Sequence, residues 1–193
     1  LKPEERFLLD REGVMRSGLN KFDAPKLGQI GIVVEDLEKT KEMFETTFGI
    51  GPWAVFDGEP VKCVDRGKEV SFRGKMAMAQ SGPVQIELIQ ILEGDDTIHT
   101  DFLKEHGEGI HHVGFIVRDI ESRIKKAKDE GIEILQHGLL RQMGLTVEYV
   151  YLDTRQYGGV IFEFIKPSFL GMPFPFRSPL LRVGAKAAGL LSR

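Results

Sequence analysis

The chain has 193 residues, 26 of them basic and 29 acidic, for a net charge of −3, with 41% hydrophobic and 28% charged positions. That length can bury a sizeable core in one domain or two small ones, and that composition excludes an intrinsically disordered chain. The weakly acidic balance leaves no electrostatic footprint for nucleic acid, and no window approaches the roughly 18 consecutive apolar residues of a membrane span. Cys63 is the only cysteine, so no internal disulfide is possible and a reduced, cytoplasmic setting is expected.

Residues 1–26, with Phe7, Leu8 and Leu9 among charges, read as an N-terminal extension too charged to be a signal peptide. From Gln29, "QIGIVV" is a β-branched strand ending near Asp36. The following "LEKTKEMFETTFGI" spaces Leu37, Thr40, Phe44 and Phe48 for a helix that Gly49 stops. Next, "PWAVFD", "EVSFRG" and "KMAMAQ" read as strands, and "PVQIELIQIL" at 83–92 closes the unit, so module one covers 27–93. After a linker, "HVGFIV" is a strand, and "IESRIKKAKDEGI" places Ile120, Ile124 and Ala127 on one helical face before Gly131. The strands "EILQHGLLRQ" and "TVEYVYLD" follow, and "GVIFEFIKP" at 159–167 closes module two, 110–167. Residues 168–193 hold Arg177, Arg182, Lys186 and Arg193 and no acid, so this tail is +4 and the remainder −7. Ser178 and Pro179 read as N-cap and first position of a short amphipathic helix, either docked on this domain or a sister subunit or resting on a membrane surface.

The chain repeats itself. "GQIGIVVEDLE" at 28–38 and "HHVGFIVRDIE" at 111–121 superpose Gly31 on Gly114, Asp36 on Asp119 and Glu38 on Glu121, which sets Gln29 opposite His112. The closing strands align Val84, Glu87 and Ile89 with Val160, Glu163 and Ile165. A unit this small cannot cover both faces of its own sheet, so the two copies should join their sheets around a shared space.

Four polar residues then sit at equivalent places in two otherwise apolar pairs of strands. If Gln29, Glu87, His112 and Glu163 point to one side, their donors converge on a divalent transition ion, and two neutral ligands with two carboxylates balance its 2+ charge. A lone glutamate in a strand is ordinarily an edge residue and a lone histidine a structural one; the coincidence with the repeat is what favours ligands. The remaining histidines lack that support. Strand alternation sends the His111 ring to the opposite face from His112, and His99, His106 and His137 lie in polar or glycine-bearing stretches and read as solvated.

The paired modules, the first strands "QIGIVV" and "HVGFIV", the last strands "VQIELIQ" and "VIFEFIKP" and the joining "FLKEHGEGIHHVGF" resemble the vicinal oxygen chelate superfamily over residues 27–167. Glyoxalase I, methylmalonyl-CoA epimerase, extradiol dioxygenases and bleomycin-resistance proteins belong to it, and the linker together with "LDTRQYGGVIFEF" looks most like the epimerases. The resemblance implies an α+β fold, two tandem βαβββ modules forming a curved mixed sheet around a central metal site. It also implies the ligand set Gln29, Glu87, His112 and Glu163 for a divalent ion (Ni, Co, Mn, Zn or Fe), which is similar to that of glyoxalase I. Epimerases more usually have His at the place of Gln29 and a second acid on a middle strand of module one, where this chain reads "GKMAMAQSG". Gln29 also breaks the two-histidine, one-carboxylate triad of extradiol dioxygenases.

The activity implied is metal-assisted proton transfer beside a carbonyl, by an isomerase or epimerase of an acyl thioester or oxo acid, with Glu163 as base and Glu87 as partner on the other face. The alternatives are a glyoxalase-I-type lyase of a hemithioacetal and a non-catalytic protein of the same fold. In that last case Trp53, Phe56, Met76 and Met78 would line a ligand cavity rather than fill the core. Lys75, Tyr149 and Gln142 are further wall candidates. A small-molecule substrate, a homodimer, no nucleic-acid partner and no integral membrane segment complete the expectation.

Overall fold

The computed structural model describes residues 27–142 and 144–173 together with two short paired strands, β1 (Leu8–Leu9) and β2 (Met15–Arg16). The helix expected around Ser178 to Leu191 lies outside the described residues.

Module one runs β3 (Leu27–Val33), α1 (Leu37–Phe48), β4 (Ala54–Gly58), β5 (Lys62–Asp65), β6 (Lys68–Glu69), β7 (Phe72–Ser81) and β8 (Val84–Gly94). Then come α2 (Ile98–His106) and module two: β9 (Gly109–Ile116), α3 (Ile120–Asp129), β10 (Ile134–Gln142), β11 (Leu145–Leu152) and β12 (Ile161–Phe169), with β13 (Met172–Pro173) folded back on β12. The aligned Asp36 and Asp119 are the N-caps of α1 and α3, accepting from the Lys39 and Ser122 amides. Gly49 ends α1 at φ 67°, a left-handed conformation that suits glycine.

All strands from β3 onward belong to one mixed sheet, in the order β4-β7-β8-β3-β9-β12-β11-β10-β5-β6. Each module forms a parallel pair of its first and last strands, and the two modules join along the antiparallel β3–β9 seam. Only residues 59–61 connect β4, at one end of this order, to β5, near the other. Such a connection reaches about 14 Å at most, so the sheet must curl until its ends approach. The outer surface is covered by helices. Leu37 of α1 packs with Trp53, Ala77 and Leu88, and Ile120 and Ala127 of α3 pack with Val150, Leu152 and Phe164. Strand alternation leaves Glu87, Tyr149, Tyr151 and Glu163 for the concave side.

Two elements differ from the sequence reading. "EVSFRG" is not one strand. Its start ends the β5–β6 hairpin, turned by Arg66 (φ 47°) and Gly67 (φ 78°), and its end begins the long β7. The left-handed pair at Arg66 and Gly67 is the signature of a two-residue hairpin turn, obscured in the sequence by an arginine in a place that favours Asn or Asp. The linker contains a helix, α2, capped by Thr97 and Thr100 in a reciprocal box.

Candidate metal centre

The two repeated glycines explain how two side chains fit at a seam between modules. In the β3–β9 register Gln29 lies opposite Gly114 and Gly31 opposite His112, so each module's candidate ligand faces the other's glycine. A Cβ on Gly31 would fall 1.9 Å from the His112 ring, and one on Gly114 would fall 3.0 Å from the Gln29 side chain. Neither position tolerates a side chain without displacing the ligand across from it.

The seam also carries two bulges, at Gly28 on β3 and His111 on β9, each the residue just before a candidate ligand. A bulge re-aims side chains and breaks simple alternation. The expectation that His111 points away from His112 is therefore corrected: the two Nδ1 atoms lie 3.1 Å apart. His99, expected in solvent, is also buried, and its ring lies 4.7 Å from that of His111. Its position in α2, the helix missing from the sequence reading, accounts for the error. His106 is exposed as expected, and His137, partly buried, pairs with Glu148 at 3.1 Å.

All four predicted ligands are buried. His112 Nε2 lies 3.2 Å from Glu163 Oε2 and 3.6 Å from Glu87 Oε2. Gln29, Glu87 and Glu163 line one cavity of about 210 Å³ on the concave side of the sheet. The Gln29 amide nitrogen donates to Gln85 Oε1 at 2.9 Å, which turns its own oxygen away from that bond. Gln29 Oε1, His112 Nε2 and Glu163 Oε2 are buried, and apart from the 3.2 Å approach of the last two to each other none has a hydrogen-bond partner. Buried polar atoms are normally satisfied, so three orphaned donor atoms at one cavity floor fit an inner-sphere cation.

Charge points the same way. Burial disfavours a charged imidazole at His112, but the Glu163 and Glu87 carboxylates outweigh it and push its pKa up to about 9. The proton thus held marks a place that attracts positive charge. Burial, assisted by Glu163, raises the pKa of Glu87 against the opposing pull of His112. Burial lowers the pKa of His99 to about 3 and also lowers that of His111, so both rings are neutral.

Nitrogen atoms of His99, His111 and His112 also lie within 4.8 Å of one another, a second conceivable cluster. Three neutral imidazoles would leave a buried divalent ion uncompensated, whereas the carboxylate side neutralises it and opens to the cavity. His112 serves both: Nε2 faces the carboxylates, and Nδ1 shares a proton with His111. Such a partner sets tautomer and ring orientation in metal-bound histidines.

Of the wall candidates, Tyr149 and Gln142 line the cavity, as do Phe56, Met76 and Met78. Lys75 does not; it pairs with Glu38 at 2.6 Å on the other face of β7. Trp53 is fully buried in the module-one core, its indole N–H donating to the Ile50 carbonyl. Two residues were missed. Gln85 stands two positions before Glu87 on the same strand face, and Tyr151 lies opposite Glu163 in the β11–β12 register with its ring 5.0 Å from that of His112. Period-two counting from Glu87 finds Gln85, whereas Tyr151 needs the β11–β12 register.

A family model described as the Glyoxalase/Bleomycin resistance protein/Dioxygenase superfamily matches residues 28–149. The chain belongs to that superfamily. An uncharacterized protein of Bacillus subtilis, YqjC, is 25% identical over 142 residues, covering 74% of this chain and 92% of its own. A variant of Streptomyces coelicolor methylmalonyl-CoA epimerase in complex with 2-nitronate-propionyl-CoA superposes with TM-score 0.56 at 21% identity, covering 79% of this chain and 99% of that one. The Mycobacterium tuberculosis epimerase gives 0.52 at 19% identity, covering 77% and 88%. A mutant 4-hydroxymandelate synthase of S. coelicolor gives 0.55 at 18%, covering 97% of this chain and 60% of that one. The superfamily's curled mixed sheet is thus shared with enzymes of different chemistry, and none of the described helices is long and apolar enough to cross a membrane.

Proposed function

We propose that this member of the superfamily is a divalent-metal-dependent isomerase or epimerase that moves a proton beside the carbonyl of an acyl thioester or oxo acid. The observation that carries the reading is the set of unsatisfied donor atoms of Gln29, His112 and Glu163, with Glu87 beside them, at the floor of the concave-side cavity. Gln29, Glu87, His112 and Glu163 would hold the ion, which when bound would supply Lewis acidity to the substrate carbonyl.

Glu163 takes the proton, because it lines the cavity and its Oε2 lies 3.2 Å from His112 Nε2. Tyr151 stands next to it as a neutral O–H, since burial and the adjacent carboxylates raise its pKa well above the phenol range. The middle strand β7 presents Met76 and Met78 to the cavity, not a carboxylate. The resulting chemistry has one base from module two, with Glu87 as ligand and second carboxylate, rather than two bases on opposite walls. The same four residues support a glyoxalase-I-type lyase, which the Gln29 ligand favours.

Elemental analysis of the purified protein, then deuterium wash-in from heavy water with a panel of 2-oxo acids, acyl thioesters and hemithioacetals, tests the proposal. Metal-dependent wash-in on one class assigns the reaction. A protein that stays metal-free after incubation with nickel, cobalt, manganese and zinc would leave only a binding protein of this fold.

A further inference from the structure

Beyond the floor, the cavity changes character. Counting along the strands in steps of two, Glu87 is followed on the concave side by Ile89 and Ile91, and Glu163 by Ile165. On β11 the same steps lead from Tyr151 through Tyr149 to Val147, and β7 contributes the two thioethers opposite. The one Lys or Arg among the described lining residues is Arg141. It sits five residues along β10 from Gln136, which shares the level of Tyr151 and Glu163. That distance is about 17 Å of strand, which puts the exposed Arg141 at the far end of the cavity from the floor. His99, the remaining basic side chain of the wall, lies at the floor with its ring against that of His111.

A substrate that chelates at the floor must place the rest of itself in this interval. A second carboxylate there would lose water and gain no cation, whereas an alkyl chain or ring would meet isoleucine, valine and methionine side chains. Size sets a further limit. An apolar cavity of about 150 Å³ takes a benzene, so the 210 Å³ here, floor included, suits an apolar group on the order of one such ring. Methionine walls accommodate differences in shape within that class.

Building on the reading above, we infer that the substrate joins its pair of vicinal oxygens to an uncharged apolar chain or ring, and that the interval between Glu163 and Arg141 selects against a second anionic group.

The test compares 2-oxohexanoate with 2-oxoadipate, two six-carbon 2-oxo acids that differ in a terminal carboxylate, by titration calorimetry on protein loaded with manganese. Metal content is measured first. The expected result is at least tenfold tighter binding of 2-oxohexanoate, with shifts of the Met76 and Met78 methyl resonances on the zinc-loaded protein. Met76→Lys should shift the preference at least tenfold towards 2-oxoadipate. Equal or tighter binding of 2-oxoadipate by the parent, no binding of 2-oxohexanoate to fully loaded protein, or unmoved methionine signals would overturn the inference while the metal centre stands. Failure to load metal would instead strike the functional reading itself.

Discussion

Module one and module two share a fold and divide the chemistry. At the seam, module one offers Gly28 and Gln29 where module two offers His111 and His112, with a bulge at the first residue of each pair. Beside the two glutamates, β7 sets Met78 opposite Glu87 and β11 sets Tyr151 opposite Glu163. One half therefore presents an amide and a thioether, and the other an imidazole backed by a second imidazole and a phenol. Duplication supplied symmetrical places, and the proposed function assigns proton transfer to the half with the imidazoles and the phenol.

The largest expected effect tests that division. Glu163→Gln keeps an oxygen donor and removes the base, so deuterium wash-in on a responsive 2-oxo acid should fall by about 10²–10⁴-fold. Gln29→His exchanges a ligand in the passive half and should stay within about tenfold of the parent, shifting metal preference towards ions that favour nitrogen. The reverse ranking would move the base to Glu87.

Glycine substitutions break the comparison sterically. Gly31→Ala confronts the His112 ring directly and should cost about 1–3 kcal/mol of stability in denaturant melts, with loss of most metal binding. Gly114→Ala meets Gln29 and the end of Ile165 at about 3 Å, and should weaken metal binding less. Equal losses would mean that the amide and the imidazole matter alike.

His111→Phe fills the space but cannot accept from His112 Nδ1. Metal affinity should fall by about 10–100-fold, read by competition with a chromogenic chelator; an unchanged affinity would make His111 a packing residue only. A smaller effect is expected from pH. In metal-free protein the His112 pKa rises from its ordinary 6.5 to about 9 because of the two carboxylates. The stability it contributes is therefore full below pH 6.5 and lost as pH passes 9. Metal must displace that proton, so apparent affinity should climb through this window with a proton released on binding. A flat profile would separate His112 from the metal.

Most of the fold was legible because the duplication is visible in ordinary residues: Gly31 with Gly114, Asp36 with Asp119, Glu87 with Glu163. Those pairs are a seam contact, two helix caps and two proposed ligands, each dictated by local geometry. The illegible parts depend on the seam's irregularity and on the closing of the sheet. A bulge cannot be counted from a strand pattern, so His111 was sent to the wrong face. The β5–β6 hairpin hides behind Arg66 and completes the sheet by pairing with β10, a long-range partner. His99 followed the missed helix. Lys75 was misplaced for a different reason, since alternation along β7 puts it between the inward Met76 and the exposed Arg73, and its pairing with Glu38 lies on the helix side.

The central claim is that residues from both modules hold one ion between them. Metal content per chain, measured after loading and exhaustive dialysis for the parent, Glu87→Ala, His112→Ala and Glu163→Ala, tests it most directly. The account predicts one equivalent in the parent and a nearly empty site in each variant, with circular dichroism showing that the fold is retained. Full occupancy in all three folded variants would contradict it.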